Sequence, residues 1–255
     1  LYGDTNSTLA GALCAAKLHL PIAHVEAGLR SFNRKMPEEI NRVVTDHLSE
    51  LLFCPTRASL ANLRREGITA GIHHVGDVMY DAALHAAARA RAGSRILERL
   101  GLTPGTYQVA TVHRPENTDD ATMLRRVVEY LDREAADCPI VVPLHPRTRR
   151  ALGEGGAATA GLRFCDPLGH LDMTQLIAHA RRVITDSGGL QKEAYFHRVP
   201  CVTLRRETEW VETIDCGWNR LWQEPEYRPR RDIDDYGTGD AAAKIVAILA
   251  ERPTR

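Results

Sequence analysis

The stretch that most constrains the fold of this chain is residues 183–193, Val-Ile-Thr-Asp-Ser-Gly-Gly-Leu-Gln-Lys-Glu. Its β-branched start predicts a short buried strand. Asp186 and Ser187 are favourable helix N-cap residues, and a helix is predicted from Leu190. Such a turn aims free backbone N–H groups at an anion, and its two glycines leave room for a phosphate. This stretch alone leaves open an ordinary capped helix after a buried strand.

Composition fits a globular protein of one or two domains, with 255 residues, 44% hydrophobic and 26% charged, and zero formal net charge. That charge balance gives no sign of a nucleic-acid or membrane partner, and no apolar run approaches the roughly 20 residues that span a bilayer. The six cysteines form no C-x-x-C pair, and the eleven histidines show no ligand spacing. We therefore expect reduced thiols, a cytoplasmic location and no metal site.

Helical and strand patterns alternate along the chain, which predicts an α/β fold with parallel sheets. The predicted strands lie at 21–25, 51–54, 72–75, 109–112, 140–142, 183–185 and 201–204. A helix is expected over 5–18, capped by Asp4 or Ser7, and one continuous helix over 81–100. The small-residue segment 153–161 predicts an exposed loop. We place the junction between two domains near residues 76–81.

Reactive side chains collect where the predicted strands end. They are Asp4, Glu26, His113, His145 and Ser187. Ligands of open parallel sheets bind outside the carboxyl ends of the strands, so these groups are expected to line a ligand site. Each also has a purely structural interpretation, such as a helix cap for Asp4 or a satisfied loop histidine for His113. Their joint placement favours chemistry.

Two helix starts add further carboxylates. Glu38 and Glu39 follow a proline at the start of a predicted helix, where acids complement the helix dipole or serve a site. Glu193 lies one helical turn after Gly189 and is placed to accept from a hydroxyl of the same ligand.

Five motifs occur in a fixed order and carry a resemblance. They are Gly3-Asp4-Thr5, the His24 to Arg30 run (His-Val-Glu-Ala-Gly-Leu-Arg), Pro37-Glu38-Glu39 with Asn41-Arg42, Thr111 and His113-Arg114 with Glu116-Asn117, and Thr185-Asp186-Ser187-Gly188-Gly189 with Gln191 and Glu193. Together they resemble the non-hydrolysing UDP-N-acetylglucosamine 2-epimerase family over the whole chain. The resemblance implies two Rossmann-like domains of the glycosyltransferase-B type, with the nucleotide sugar between them.

The resemblance implies a reaction and a set of site residues. UDP is eliminated from the sugar and added back, so that C2 is inverted to the manno epimer. By position, the catalytic residues are Asp4, Glu26, Glu38 and His113. The substrate-binding residues are Arg30, Arg114, Ser187, Gly188, Gly189, Glu193 and Arg206. The scheme requires neither a metal nor a cofactor, its partner is the UDP-sugar, and the family resemblance implies a homodimer.

Two features depart from the family pattern. The family begins with a strand and a basic loop before its Gly-Asp-Thr motif, so about three βα units, roughly 90 residues, are expected to precede Leu1. Many members also carry Thr-Glu-Arg-Pro-Glu where this chain has Thr-Glu-Trp-Val-Glu at 208–212. Arg205 or Arg206 is expected to supply the missing charge. Trp210 indicates a subgroup, for example one acting on UDP-2,3-diacetamido-glucuronate.

The sequence predicts three parts. Residues 1–78 are the C-terminal part of an incomplete first Rossmann-like domain, and residues 79–238 are a second Rossmann-like domain that binds UDP. Residues 239–255 form a terminal helix that packs back towards the first domain.

Three other functions stay open. A hydrolysing relative would release free N-acetylmannosamine, and spacing does not separate it from the epimerase. A UDP-sugar glycosyltransferase of the same fold would need fewer carboxylates. A non-catalytic nucleotide-sugar-binding fragment would show binding without turnover.

Overall fold

The computed structural model describes residues 1–152 and 161–251. The chain forms two compact units. Unit 1 comprises residues 1–84 and the residues from Asp232 onward, and unit 2 comprises His85–Arg231. The predicted domain limits, 1–78, 79–238 and 239–255, stay predictions. Most of the predicted loop 153–161 lies outside the described residues.

Unit 1 is built on a parallel sheet with strand order β1-β2-β3. Its elements are α1 (Asn6–Lys17), β1 (Ala23–Val25), α2 (Pro37–Leu48), β2 (Leu51–Cys54), α3 (Arg57–Arg65), β3 (Ile72–His74) and the start of α4 (Val78–Gly93). Every residue of the central strand β2 is buried, because successive side chains point to opposite faces and both faces are covered. Leu52 packs against Leu63 of α3 on one face, and Phe53 packs against Ile245 on the other.

Unit 2 is built on a parallel sheet whose described strands run in the order β6-β5-β4-β7-β8-β9. Its elements, followed by the terminal helix, are α5 (Ile96–Leu100), β4 (Gln108–Thr111), α6 (Pro115–Thr118), α7 (Ala121–Ala135), β5 (Ile140–Pro143), α8 (Pro146–Leu152), β6 (Leu162–Cys165), α9 (His170–Ala178), β7 (Arg182–Thr185), α10 (Gly188–Phe196), β8 (Cys201–Thr203), α11 (Val211–Asp215), β9 (Asn219–Leu221) and α12 (Ala241–Ala250). The order corresponds to the 3-2-1-4-5-6 arrangement of a dinucleotide-binding sheet. Helix α12, which contains Ile245, belongs to unit 1.

Three local predictions are wrong in detail. The N-cap of α1 is Thr5, whose side chain accepts from the N–H of Thr8, and not Asp4 or Ser7. The predicted helix 81–100 is two helices, because the Ser94 hydroxyl accepts from the N–H of Ile96 and starts a new helix after Gly93. Helix α10 begins at Gly188 and not at Leu190, since the Ser187 cap includes both glycines.

The strand pairing could not be read from the chain order. β4 pairs with β7 in parallel, with Thr111 opposite Thr185, although two strands and four helices separate them along the described chain. None of the described helices combines the length and the apolarity of a membrane-spanning segment.

Candidate active site

The loop that carries Asp4 is held by hydrogen bonds from α2 and β1. Arg42 Nη2 lies 2.8 Å from Asp4 Oδ2, and Asn41 Nδ2 donates to the main-chain carbonyl of Asp4 at 2.8 Å. His24 Nε2 lies 2.8 Å from the carbonyl of Gly3. Gly3 has φ +73°, a left-handed conformation that glycine adopts without steric strain. The Asp4 carboxylate is therefore fixed by an ion pair, while its side chain stays 34% exposed.

Glu26 directly follows β1 in a strained backbone conformation. Its φ is +75°, which for a residue other than glycine costs on the order of 1–3 kcal/mol. Its N–H donates to the carbonyl of Phe53 at 3.1 Å. A Cβ placed on Gly3 would lie 3.7 Å from Glu26 Oε2, so the Glu26 carboxylate lies beside the loop that carries Asp4. Strain of this kind concentrates at functional sites, where the surrounding structure holds a side chain in a required direction.

The two glutamates that start α2 have different surroundings. Glu39 is 3% exposed, and its carboxylate accepts from the N–H groups of Ser31 and Phe32 at 2.8 and 2.9 Å and from Arg42 at 2.9 Å. Glu38 is half-buried, and its side chain makes no hydrogen bond or ion pair within the described part of the chain. It shares a helix face with Arg42, four residues later. Of the pair, Glu38 therefore has the available carboxylate.

Arg30 lies in a buried charged network. Its Nη1 donates to Asp46 Oδ2 at 2.7 Å, and its Nε and Nη2 donate to the two carboxylate oxygens of Glu66 at 2.6 and 2.7 Å. Asp46 also lies 2.6 Å from His24 Nδ1 and accepts from the N–H of Gly28 at 3.1 Å. The hydrogen bond from Arg30 lowers the pKa of Glu66 although partial burial opposes it. These contacts fix the 24–30 run, and the substrate-binding role of Arg30 stays a prediction.

Asp46 is a residue that the sequence analysis missed. It joins the His24 ring, the Gly28 N–H and the Arg30 guanidinium, and it is 1% exposed. The feature of the sequence that could have identified Asp46 is the buried face of α2, which is polar instead of apolar. Its buried residues are Glu39, Asn41, Arg42, Thr45 and Asp46. A polar stripe at helical spacing on a buried face indicates side-chain partners elsewhere in the chain, because buried polar groups are hydrogen-bonded.

In unit 2, the turn predicted to bind an anion is the N-terminus of helix α10. Ser187 is the N-cap of α10, with its Oγ accepting from the N–H of Leu190. The N–H groups of Gly188 and Gly189 have no acceptor among the described residues, as at a helix N-terminus that awaits an anion. A Cβ on Gly188 would lie 2.6 Å from Glu209 Oε1, so any larger residue would displace that carboxylate.

Asp186, for which the sequence suggested only a helix-capping role, connects this turn with the His113 segment. It is fully buried and accepts from the N–H groups of His113 and Arg114, each at 2.9 Å, and from Asn117 Nδ2 at 3.1 Å. Its Oδ1 lies 3.2 Å from His113 Nδ1, which leaves Nε2 as the outward ring nitrogen. Burial alone would raise the pKa of Asp186, but the hydrogen bonds and charge of His113 hold it below its ordinary value.

The sheet order explains why these two segments meet. His113 follows β4 and Ser187 follows β7, and these strands are neighbours at the point where the strand order reverses. Ligands of such sheets bind in the crevice at this switch point. The ring of His145, which follows β5, lies 5.6 Å from the ring of His113, so three strand ends contribute to this edge of unit 2.

The remaining predicted residues of unit 2 differ in burial. Glu193 is half-buried, and burial raises the pKa of its carboxyl although His170 and Lys192 partly oppose this. Its side chain makes no hydrogen bond with any described residue. Arg114 is half-buried and Arg206 is exposed.

Within unit 1, the Glu26 carboxylate lies beside the loop that carries Asp4, and Glu38 lies on the helix that holds Asp4. Within unit 2, Asp186 joins His113 to the Ser187 turn. The catalytic and substrate-binding roles of these residues stay predictions. Among the described residues, no group of three or more His, Cys, Asp or Glu side chains is arranged to hold a metal ion. Two Rossmann-like α/β units with polar groups at their strand ends define a protein of the glycosyltransferase-B-like class.

Comparison with known proteins makes the assignment more specific. The sequence profile of the UDP-N-acetylglucosamine 2-epimerase family matches residues 1–250, and the chain belongs to this family. It is 47% identical to a UDP-N-acetylglucosamine 2-epimerase homolog of Methanococcus maripaludis, with 98% of this chain and 74% of that protein aligned. It is equally 47% identical, over 98% of this chain and 74% of the relative, to the UDP-2,3-diacetamido-2,3-dideoxy-D-glucuronate 2-epimerase of Pseudomonas aeruginosa.

Solved structures agree with this assignment. The UDP-GlcNAc 2-epimerase of Methanocaldococcus jannaschii, in complex with UDP-GlcNAc and UDP, matches with a TM-score of 0.88 and 39% identity over 98% of this chain and 74% of that one. The UDP-GlcNAc 2-epimerase of Neisseria meningitidis bound to UDP-GlcNAc matches with a TM-score of 0.86 and 26% identity over 98% and 75% of the two chains.

Proposed function

We propose that this protein inverts C2 of a UDP-N-acetylglucosamine-type sugar nucleotide without hydrolysis, by eliminating UDP and adding it back. The observation that carries the proposal is the carboxylate set of unit 1. The Glu26 carboxylate lies beside the loop that carries Asp4, and Glu38 makes no hydrogen bond or ion pair with any described residue. Removing a proton from C2 and returning one from the opposite side requires two acid/base groups. Transfer of the sugar to an acceptor would need no such pair.

The contacts of the three carboxylates support a different role for each. Asp4 is held in an ion pair by Arg42, so we assign it to orienting the sugar. The Glu26 carboxylate lies beside the Asp4 loop, and Glu38 makes no hydrogen bond or ion pair with any described residue, so we assign these two glutamates to the proton transfers at C2. In the elimination, one carboxylate takes the C2 proton, the C2–H electron pair forms the C1=C2 double bond, and the C1–O bond breaks towards UDP. Addition of UDP to C1 and protonation of C2 on the other face complete the inversion.

We assign the binding of the UDP part of the substrate to unit 2. The free N–H groups of Gly188 and Gly189 face the charge that develops on the departing diphosphate, so they stabilise departure as well as binding. His113, with Nδ1 directed at Asp186, presents Nε2 as the ring nitrogen that contacts the diphosphate. Glu193 accepts from a ribose hydroxyl. Arg114 and Arg206 are the further substrate-binding cations.

Two finer points belong to the proposal. The equal similarity to the M. maripaludis and P. aeruginosa relatives makes UDP-2,3-diacetamido-glucuronate the second substrate to test. A homodimer, predicted from the family resemblance, would be measured by light scattering, where a mass near that of one chain would contradict it.

The proposed function is tested by proton NMR of UDP-N-acetylglucosamine in D2O with the purified protein. We expect deuterium at C2 and a growing UDP-N-acetylmannosamine signal. Free N-acetylmannosamine would place the protein in the hydrolysing branch. Binding without exchange, for both this sugar and the diacetamido uronate, would contradict catalysis and favour a nucleotide-sugar-binding protein.

Glu26→Gln tests the catalytic assignment in the same assay. Because general acid–base groups contribute roughly 10²–10⁴-fold, C2 exchange should fall by about that factor while UDP still binds. The matched control is Glu98→Gln, which removes a glutamate charge from a side chain that is 74% exposed. Unchanged exchange in the Glu26 variant would remove this residue from the mechanism.

A further inference from the structure

His24 is a buried histidine with a hydrogen-bond acceptor on each side of its ring. It is the middle residue of β1 and is fully buried. Its Nδ1 lies 2.6 Å from Asp46 Oδ1, and its Nε2 lies 2.8 Å from the main-chain carbonyl of Gly3. Carbonyl and carboxylate oxygens accept hydrogen bonds, so each ring nitrogen donates one. The ring therefore joins helix α2, which carries Asp46, to the loop that carries Asp4.

Asp46 holds the segment around Glu26 at two points. Besides the His24 ring, it contacts the main chain of Gly28, whose N–H donates to Asp46 Oδ2 at 3.1 Å. His24 and Gly28 lie two residues before and two residues after Glu26, so both ends of the segment with the strained Glu26 backbone are attached to one carboxylate. Strained backbone persists only where the surrounding structure fixes it. Arg30 Nη1, at 2.7 Å from Asp46 Oδ2, keeps this carboxylate in place.

Gly3 is the residue at which these contacts reach the predicted catalytic carboxylates. Its carbonyl accepts from His24 Nε2, its N–H donates to the carbonyl of Val25 at 3.1 Å, and it directly precedes Asp4 in the chain. The position that a Cβ on Gly3 would occupy lies 3.7 Å from Glu26 Oε2. The His24 ring thus fixes the backbone of a residue that adjoins both Asp4 and the Glu26 carboxylate.

We propose that His24 is a positioning residue for the chemistry at C2. By donating from both ring nitrogens, to Asp46 and to the Gly3 carbonyl, it sets the placement of the Asp4 loop relative to Glu26. This role rests on the proposed function, because it assumes that Asp4 and Glu26 act on the sugar. The ring is fully buried and both of its nitrogens are occupied, so His24 acts through these carboxylates and not on the sugar itself.

Two substitutions separate the two hydrogen bonds of the ring. His24→Asn keeps a donor near the position of Nδ1, within reach of Asp46, and removes the bond to Gly3. His24→Gln keeps a donor near the position of Nε2, within reach of the Gly3 carbonyl. Because a displacement of about 1 Å can cost roughly 10²-fold in rate, C2 exchange at saturating substrate should fall about 100-fold in His24→Asn and less in His24→Gln. The affinity for UDP, which we assign to unit 2, should be unchanged in both variants.

The exposed histidine of α4 provides the matched control, since His85→Asn should leave C2 exchange unchanged. Exchange at the wild-type rate in His24→Asn, or an equal loss in the two His24 variants, would overturn the positioning role alone. No C2 exchange by the wild-type protein would overturn the proposed function and the positioning role together.

A measurement on the wild-type protein tests the two ring hydrogen bonds without any substitution. Correlation spectra of the ¹⁵N-labelled protein distinguish ring nitrogens that carry hydrogen from those that do not, and NOEs between the ring and the α-protons of Gly3 identify His24. We expect hydrogen on both ring nitrogens at pH 7. A bare Nδ1 or Nε2 would overturn the inference, even if His24→Asn does not fold.

Discussion

At the scale of the residue, Glu193 has a buried carboxyl whose proposed ribose contact would offset a cost in stability. Its carboxyl is half-buried, makes no hydrogen bond with any described residue, and has a pKa raised mainly by burial. A carboxyl whose folded-state pKa exceeds its unfolded value favours folding only while it is protonated. Its contribution is fully present below the unfolded pKa, about 4.3, and is lost as the pH rises through the folded pKa. A ribose hydroxyl would provide the missing hydrogen bond.

Glu193→Gln is therefore expected to stabilise the protein and weaken UDP binding. At pH 7 the free energy of unfolding should rise by roughly 0.5–2 kcal/mol, as stabilising substitutions commonly do, and UDP affinity should fall about ten-fold. Urea unfolding at pH 7 and at pH 4 measures the first effect, and the gain should shrink at the lower pH, where the wild-type carboxyl is protonated. A variant that is less stable at pH 7 would contradict the assigned burial effect.

At the scale of the element, α2 is a helix whose buried face is charged. Through Glu39, Asn41, Arg42 and Asp46 it fixes the 31–32 backbone, the Asp4 loop and the 24–30 run. Buried ion pairs add little net stability compared with apolar packing, but breaking one leaves an uncompensated charge. The helix therefore positions the predicted catalytic carboxylates more than it strengthens the core.

The adjacent glutamates of α2 provide a matched pair of variants. Glu39→Gln should lower the free energy of unfolding by about 1–3 kcal/mol, because a buried charged acceptor of four hydrogen bonds is lost. Glu38→Gln should change it by less than about 0.5 kcal/mol and should abolish most C2 exchange. Thermal unfolding and the NMR assay measure both effects, and the opposite pattern would exchange the two roles.

At the scale of the whole molecule, unit 1 is assembled from two distant parts of the chain. Asp81 accepts from the N–H groups of Ala241 and Ala242, at the start of α12, at 3.2 and 2.8 Å. Arg57 Nη1 lies 2.7 Å from Asp234, and Ile245 packs against Phe53 in the core. The C-terminal segment thus covers one face of the small sheet of unit 1.

Ile245→Ala should consequently destabilise unit 1. Ile245 is 7% exposed, and truncating a buried isoleucine costs roughly 2–5 kcal/mol through lost transfer energy and a residual cavity. Val246→Ala, at a side chain that is 64% exposed, is the control and should stay within about 0.5 kcal/mol of wild type. Equal stability of the two variants in urea unfolding would show that α12 does not complete this core.

Local sequence signals predicted the parts of the site that depend on a few neighbouring residues. The Ser187 turn, the Pro37 start of α2 and the buried strand at 51–54 all appear as predicted, because caps, prolines and apolar runs act over one or two turns of chain. Local signals alone did not distinguish Glu38 from Glu39, and only the family resemblance selected Glu38. The difference in their partners depends on the N–H groups of residues 31 and 32, which lie in a different segment.

The sequence by itself determined an α/β chain with parallel sheets, a glycine turn suited to a phosphate, and a set of carboxylates at strand ends. Only the tertiary structure decided which of these groups meet. Asp186 and His113 are 73 residues apart, and they touch because β4 and β7 are neighbours in the sheet. Likewise, only the fold buries Arg205 against Glu209 and leaves Arg206 exposed. Periodicity reports how each residue is placed in its own element, whereas partners are set by strand order and packing between distant segments.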